Sequence, residues 1–205
     1  MTELDVFLPK IMPFVPGCPE PTAFANIIKA AQEFCERTRL WRGDDTFTVT
    51  PTSCNVMCAP QGADVYEIES AYIESVKLEA ISLADLDHKC PQWRDASNGQ
   101  GQWITQIEHG TVMIVPKTTG TLKLSTFLRP SEDADQLPDF IAQLYRQVIA
   151  DGALAEILML PGQPFTAPDR AQFYSMRFEA KLGELSNRTI KGQQRAPARV
   201  RAQFM

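Results

Sequence analysis

The hydrophobic period changes twice along this chain, and that change limits the architectures open to it. Near the N-terminus Phe24, Ile27, Ile28, Ala31, Phe34 and Cys35 recur at steps of three and four, while Lys29, Glu33, Glu36 and Arg37 fall largely off that stripe. This is the period of an amphipathic helix. From Tyr66 to Tyr72 the step shortens to two: Tyr66, Ile68, Ser70 and Tyr72 alternate with Glu67, Glu69 and Ala71, as a half-buried strand requires. Beyond Pro138 the helical step returns through Ile141, Leu144, Tyr145, Val148, Ala155 and Leu158. It continues through Ala171, Tyr174, Phe178, Leu182 and Leu185. The expected class is α+β: an N-terminal helix and a C-terminal antiparallel helical hairpin, packed around or beside an antiparallel β-rich middle, with an extended C-terminal tail. Residues 1–43 and 131–190 are expected to form one helical body. Residues 44–130 are expected to form a β-rich insertion, and 191–205 an extended basic tail.

Local signals place the element ends. Thr2 and Asp5 have the spacing of a capping box ahead of Phe7, Leu8, Ile11 and Met12, which predicts a short helix interrupted by prolines. The main N-terminal helix should begin after Pro19 and Pro21, since proline costs little in a first turn. Gly43 is the expected stop, with Arg37, Arg39 and Arg42 at the negative end of the helix dipole. In the middle, Val76 and Leu78, Trp103–Ile107, Val112–Val115 and Leu122–Leu128 are the further strand candidates. Turn residues Pro60–Gly62, Asn98–Gly101, His109–Gly110 and Thr118–Gly120 separate them. Short turns favour antiparallel pairing, in one sheet or a small sandwich. Near the C-terminus, Thr166 is the expected cap of the last helix, with Pro168 and Asp169 in its first turn. The short link Pro161–Ala167 predicts an antiparallel hairpin. Gly152, in mid-helix, should cost about 1 kcal/mol against alanine, a cost that close approach of another backbone would offset.

The 205 residues suffice for one elaborated domain or two small ones, and 44% hydrophobic with 22% charged residues is ordinary for a globular chain. No apolar run reaches the roughly eighteen residues of a membrane span. Glu3 and Asp5 stand where a signal peptide needs bases, and Pro9, Pro13 and Pro16 break the apolar stretch; the protein is expected to stay in the cytoplasm where it is made or to leave by a route that needs no signal. Five irregularly spaced cysteines (Cys18, Cys35, Cys54, Cys58, Cys90) read as reduced thiols, several of them buried. Charge is unevenly placed. Ser186–Met205 holds Arg188, Lys191, Arg195, Arg199 and Arg201 and no acid, leaving fifteen bases against twenty-five acids before it. The body is thus near −10 and the end near +5.

Signatures of bond chemistry are sparse. No phosphate-binding glycine loop, dinucleotide fingerprint, G-x-S-x-G elbow or H-E-x-x-H is present, and only His88 and His109 supply imidazole. Cys54, Cys58, His88 and Cys90 are the sharpest metal candidates, but C-x3-C with H-x-C is not a recurrent zinc spacing, so free cysteines are the expected reading. His88 and Cys90 would share a face on a strand, which leaves a small Cys/His hydrolase as an alternative, without an identifiable orienting group. Asp85, Asp87, Asp133 and Asp135 lack the rest of a calcium loop and read as solvated loop acids. Trp93 and Trp103 read as core or interface packing rather than as platforms for a sugar or base. No catalytic residue, metal or cofactor is expected. The last residues carry the stronger signal: Val200, Ala202 and Phe204 alternate with Arg199, Arg201 and Gln203, a strand pattern suited to adding to a partner's sheet edge, with a disordered basic tail as the equal alternative. A DNA-binding module acting through this tail is a further alternative.

The phrases Pro16–Pro21 (PGCPEP) and Ala30–Arg42 (AAQEFCERTRLWR), followed by Leu137–Phe140 (LPDF), Ile149–Leu154 (IADGAL), Met159–Phe165 (MLPGQPF) and the run Phe173, Tyr174 and Phe178, together resemble the head-to-tail adaptor proteins of podovirus-type tailed phages. The resemblance runs from about residue 5 to 185; the β-rich middle and the residues after Ser186 contribute no matching phrase. It implies a structural virion protein at the head–tail junction, assembled in the host cytoplasm. Such a protein forms a ring, usually of twelve copies, between the portal protein and the tail or nozzle protein, with DNA at most passing through its channel and no membrane contact. It also implies that the C-terminal extension engages the portal, which makes Lys191, Arg195, Arg199, Val200, Arg201 and Phe204 the expected docking residues. Another neck, baseplate or minor tail component is the neighbouring alternative.

Overall fold

The computed structural model describes residues 1–50, 55–57, 59–94, 99–108 and 110–191. Its described residues form an α+β protein divided into two compact units. The first holds residues 1–40, 61–63 and 129 onward; the second holds 41–60 and 64–128.

In the first unit the chain opens with a short strand β1 (Thr2–Glu3), a 3-10 turn over Leu4–Phe7 and one turn of helix, α1 (Leu8–Ile11). The capping box expected at Thr2 does not form. Its hydroxyl donates instead to Asp139 Oδ1 at 2.7 Å, and β1 pairs antiparallel with β10 (Gln136–Leu137). Helix α2 (Glu20–Thr38) follows with Pro21 in its first turn, as expected. It ends five residues before Gly43, because Arg39 takes the left-handed cap (φ 52°) and its N–H reaches Cys35 O at 2.8 Å. A non-glycine cap leaves no mark in composition.

The single helix expected beyond Pro138 is two: α4 (Asp139–Leu144) and α5 (Arg146–Ile157), broken at Tyr145 (φ −119°, ψ 13°). Helix α6 (Pro168–Lys191) completes the hairpin. The α5–α6 turn is closed by Ala167 N–H to Leu158 O (2.9 Å) and Thr166 Oγ1 to Leu160 O. Thr166 therefore spends its hydroxyl on the turn, not on the first turn of α6. Helix α5 lies between α2 and α6, and this explains Gly152. A Cβ placed there would come 3.0 Å from Ala30 Cβ and from the Phe178 ring. The close approach is by side chains of both flanking helices, not by another backbone. Phe34, Ile27, Ile149, Leu154 and Leu182 are wholly buried in this unit; each such side chain contributes about 1.5–3 kcal/mol relative to exposure.

The second unit has two four-stranded sheets. One is ordered β2 (Arg42–Val49), β9 (Gly120–Pro130), β4 (Ala63–Ile73), β5 (Val76–Lys77). The other is ordered β3 (Asn55–Val56), β8 (Thr111–Val115), β7 (Trp103–Thr105), β6 (Glu79–Ala80). Strand β2, whose first residues Arg42 and Gly43 are expected at a helix end, pairs antiparallel with β9 from Arg42↔Phe127 to Val49↔Gly120. Val49, Ala71, Ile73, Leu122 and Leu124 from the first sheet meet Ile104, Val112 and Ile114 from the second in one core. In β4 the buried parity changes: Ile68 packs against this core, but further along Ala71 and Ile73 are buried while Tyr72 is exposed. One pair departs from the antiparallel rule. Strands β6 and β7 run parallel, Glu79↔Trp103 and Ala80↔Ile104, across a long connection containing α3 (Leu83–Lys89), the kind of crossover parallel pairing requires.

Candidate interaction surfaces

Three surfaces of the first unit stand out, and each follows from how its helices are patterned. Helix α6 has two apolar rows. Ala171, Tyr174, Phe178, Leu182 and Leu185 are buried. Phe173, Met176, Ala180 and Gly183 also step by three and four but are exposed, Phe173 by 51% and Met176 by 59%. At about 100° per residue the two rows lie on opposite sides of the helix. A helix that is apolar on both sides has one side more than its own fold uses. Arg177 lies over the Phe173 ring (5.6 Å to its centre) and pairs with Asp151 at 3.2 Å. Asp151, buried on α5, also accepts from Gln147 Nε2 at 2.9 Å. Burial pushes its carboxyl pKa up, against the lowering effect of Gln147 and Arg177.

A second surface is a depression of about 340 Å3 beside the β1–β10 pair. Leu4, Phe24, Ile28 and Ala134 supply apolar lining, and Glu3, Asp5 and Asp135 supply carboxylates; no lining residue is basic. Its geometry follows from Leu4 N–H donating to Asp135 O at 3.2 Å, which seats the 3-10 turn against the entry to β10. The third is a shallow cleft where Leu144, 70% exposed, sits with Lys10, Gln143, Arg146 and Gln147.

The candidates for chemistry are dispersed. His88 lies on α3 and Cys90 just past its end. This is a helical turn, not a strand, so residues two apart do not share a face, and the argument for a Cys90–His88 pair falls. Cys90 packs with Leu86, Trp93 and Val115. Cys54, Cys58 and His109 lie outside the described residues. Among the described residues no cluster of His, Cys, Asp or Glu is placed to hold a metal ion. Free Cys18 and Cys35 are buried, and burial pushes the Cys35 thiol up to about 12.

Asp85 and Asp87 belong to α3 rather than to a loop. Ser82 Oγ accepts from Asp85 N–H (3.1 Å) as the helix cap. Asp87 accepts from Trp93 Nε1 at 2.6 Å and from Arg94 at 3.0 Å; the indole bond, then Arg94, hold its carboxyl below the usual range. Trp93 is buried, and Trp103 packs against the same small cluster. Asp133 is exposed, and Asp135 borders the depression. Of the expected docking residues, Lys191 is the last residue of α6; Arg195, Arg199, Val200, Arg201 and Phe204 lie outside the described residues.

The outer row of α6 is written in the sequence as a second run at helical spacing, which the stripe Ala171–Leu185 alone does not include. The depression was not visible, since it is built from residues 3–5, 24–28 and 134–135, brought together by β1–β10 pairing that no local pattern announces. No helix among the described residues is long and apolar enough to cross a membrane.

No curated protein matches the chain. The model of the SU10 adaptor protein family does, over residues 19–201, and so includes the β-rich middle and most of the basic end that the resembling phrases left out. With nearly the whole length matched, the chain belongs to the SU10 adaptor protein family, a family of phage structural adaptor proteins.

Proposed function

We propose that this adaptor joins the portal at the capsid vertex to the tail, as a closed ring of copies acting through protein contacts alone. One observation carries the reading: the exposed row Phe173, Met176, Ala180 and Gly183 stands opposite the buried row of the same helix. An apolar helix face of this kind is the usual material of a helix–helix contact. A ring is built head to tail, so each copy offers two different faces. The outer row of α6 serves as one of them, and the cleft around Leu144, otherwise lined by Lys10, Gln143, Arg146 and Gln147, is a different exposed surface for another contact. Twelve copies, the neighbouring tail or nozzle protein and a place in the virion follow from the adaptor resemblance. The exposed Tyr66, Tyr72, Val76 and Ile107 of the second unit are available for the tail-side partner.

Electron microscopy of the purified protein mixed with its portal should show rings on the portal. Met176→Glu should remove them while leaving the melting of the free protein within about 0.5 kcal/mol of the parent, as surface changes usually do. Absence of rings with the parent chain, with or without portal, would sink the reading; rings formed equally well by Met176→Glu would remove α6 as the contact.

A further inference from the structure

The acidic depression and the basic end of the chain match in charge and in pattern. Leu4, Phe24, Ile28 and Ala134 give the depression its apolar lining, and Glu3, Asp5 and Asp135, all exposed, give it its charge. The C-terminal segment 192–205 contains Arg195, Arg199 and Arg201 and no acid, and its Val200, Ala202 and Phe204 alternate with Arg199, Arg201 and Gln203. An extended segment of this pattern presents apolar side chains to one side, and long arginine stems carry their charge to a rim. Gly192, directly after the last residue of α6, is the residue type best suited to reversing a chain at a helix end.

The architecture of the first unit puts the depression within reach of the chain's own end. Helices α2 and α5 are antiparallel, since Lys29 meets Glu156 and Phe34 meets Tyr145. Helices α5 and α6 are antiparallel too, since Leu158 meets Ala167 and Asp151 meets Arg177. Helices α2 and α6 therefore run the same way, and Gly152 sets their level, because a Cβ there would stand 3.0 Å from both Ala30 and Phe178. Arg37 fits this level: its guanidinium turns back to Glu33 (3.5 Å) and from there meets Glu179 (3.0 Å). Phe24 and Ile28 lie behind Ala30 by about 6 Å on average, at 1.5 Å per residue. Helix α6 runs on from Phe178 to Lys191 by about 20 Å on the same scale. The end of α6 is thus about 26 Å from its own depression along the common axis. Even a sideways crossing of two interhelical spacings, about 20 Å, leaves a separation of about 33 Å. Extended, Gly192–Ala202 spans up to about 36 Å and Gly192–Phe204 up to about 43 Å. Tethering at such range gives an effective concentration of about millimolar, which a second copy in dilute solution does not match.

We propose that, before the adaptor meets its partners, the C-terminal segment 192–205 folds back and seats in the acidic depression of its own copy. Ala202 and Phe204 rest on the apolar lining, and Arg199 and Arg201 lie against Glu3, Asp5 and Asp135. The segment is then a latch. The latch itself needs neither ring nor portal; its consequence alone rests on the portal reading, since a tail held on its own body has to be displaced before it can engage anything else.

The test uses the isolated full chain with the photoreactive p-benzoylphenylalanine at position 204, as an equal mixture of nitrogen-15-labelled and unlabelled copies without portal. Crosslinks should form at residues 3–5, 24–28 or 134–135, each within a single isotope, with a yield that does not change on dilution. Asp5→Arg with Asp135→Arg should lower that yield by about tenfold or more, since like charges then face each other. Arg199→Glu with Arg201→Glu in the same chain should restore it, which also shows that the reversed chain still folds. Crosslinks that mix isotopes, crosslinks to any other surface, no crosslinks, or a yield indifferent to charge reversal would each overturn the proposal. With no portal present, each of these results stands apart from whether rings form.

Discussion

Two residues of α5 show how closely the first unit is fitted. Gly152 faces Ala30 and Phe178 at distances a Cβ cannot meet without displacement, while at Gly183 on α6 a Cβ would meet nothing within 4 Å. Alanine gains about 1 kcal/mol over glycine in either helix, but at position 152 overpacking of about 1–3 kcal/mol opposes it. Thermal melting should therefore fall for Gly152→Ala and rise by roughly 2–4 °C for Gly183→Ala; equal shifts at the two sites would contradict the packing. Beside it, Asp151 carries a carboxyl whose folded pKa is raised by burial. The folded state then holds its proton more tightly than the unfolded chain does. Its contribution to stability is present below the ordinary carboxylate range and is lost as pH rises through the raised value. Asp151→Asn has no such proton to lose, so its melting temperature relative to the parent should climb as pH increases through that window. A difference that stays flat or shrinks would show that Arg177, itself half exposed, compensates fully.

At the scale of elements, what could be read in advance was whatever declares itself by period. The stripe Phe24–Cys35 became α2, the alternation at Tyr66–Tyr72 fell within β4, and the run Ala171–Leu185 became the buried side of α6. The misreadings occur where a side chain or a distant partner replaces the usual local signal. Arg39 caps α2 in a left-handed conformation that composition assigns to glycine. Tyr145 breaks α4 from α5 without a proline. Helix α3, seven residues long, takes the place of the expected loop and strand, because its few apolar positions are too short a run to show a period. Its real signal was the cap, Ser82 three residues before Asp85. The interaction surfaces divide in the same way. The outer row of α6 is a local pattern, legible once the helix is granted. The depression depends on β1 finding β10 more than 130 residues away, and no window of the sequence contains both.

For the whole molecule, the decisive quantity is where its charge lies. A body near −10 and an end near +5 would make any contact between copies that joins the two sensitive to salt, since screening shortens the reach of charge from about 10 Å at 0.1 M to about 3 Å at 1 M ionic strength. The outer row of α6 is apolar, so a ring joined through it should hold or strengthen across the same range. Rings on the portal should therefore persist as sodium chloride is raised from about 0.1 M to about 1 M. Rings that fall apart over that range would mean that opposite charges, and not the exposed row Phe173, Met176, Ala180 and Gly183, join one copy to the next.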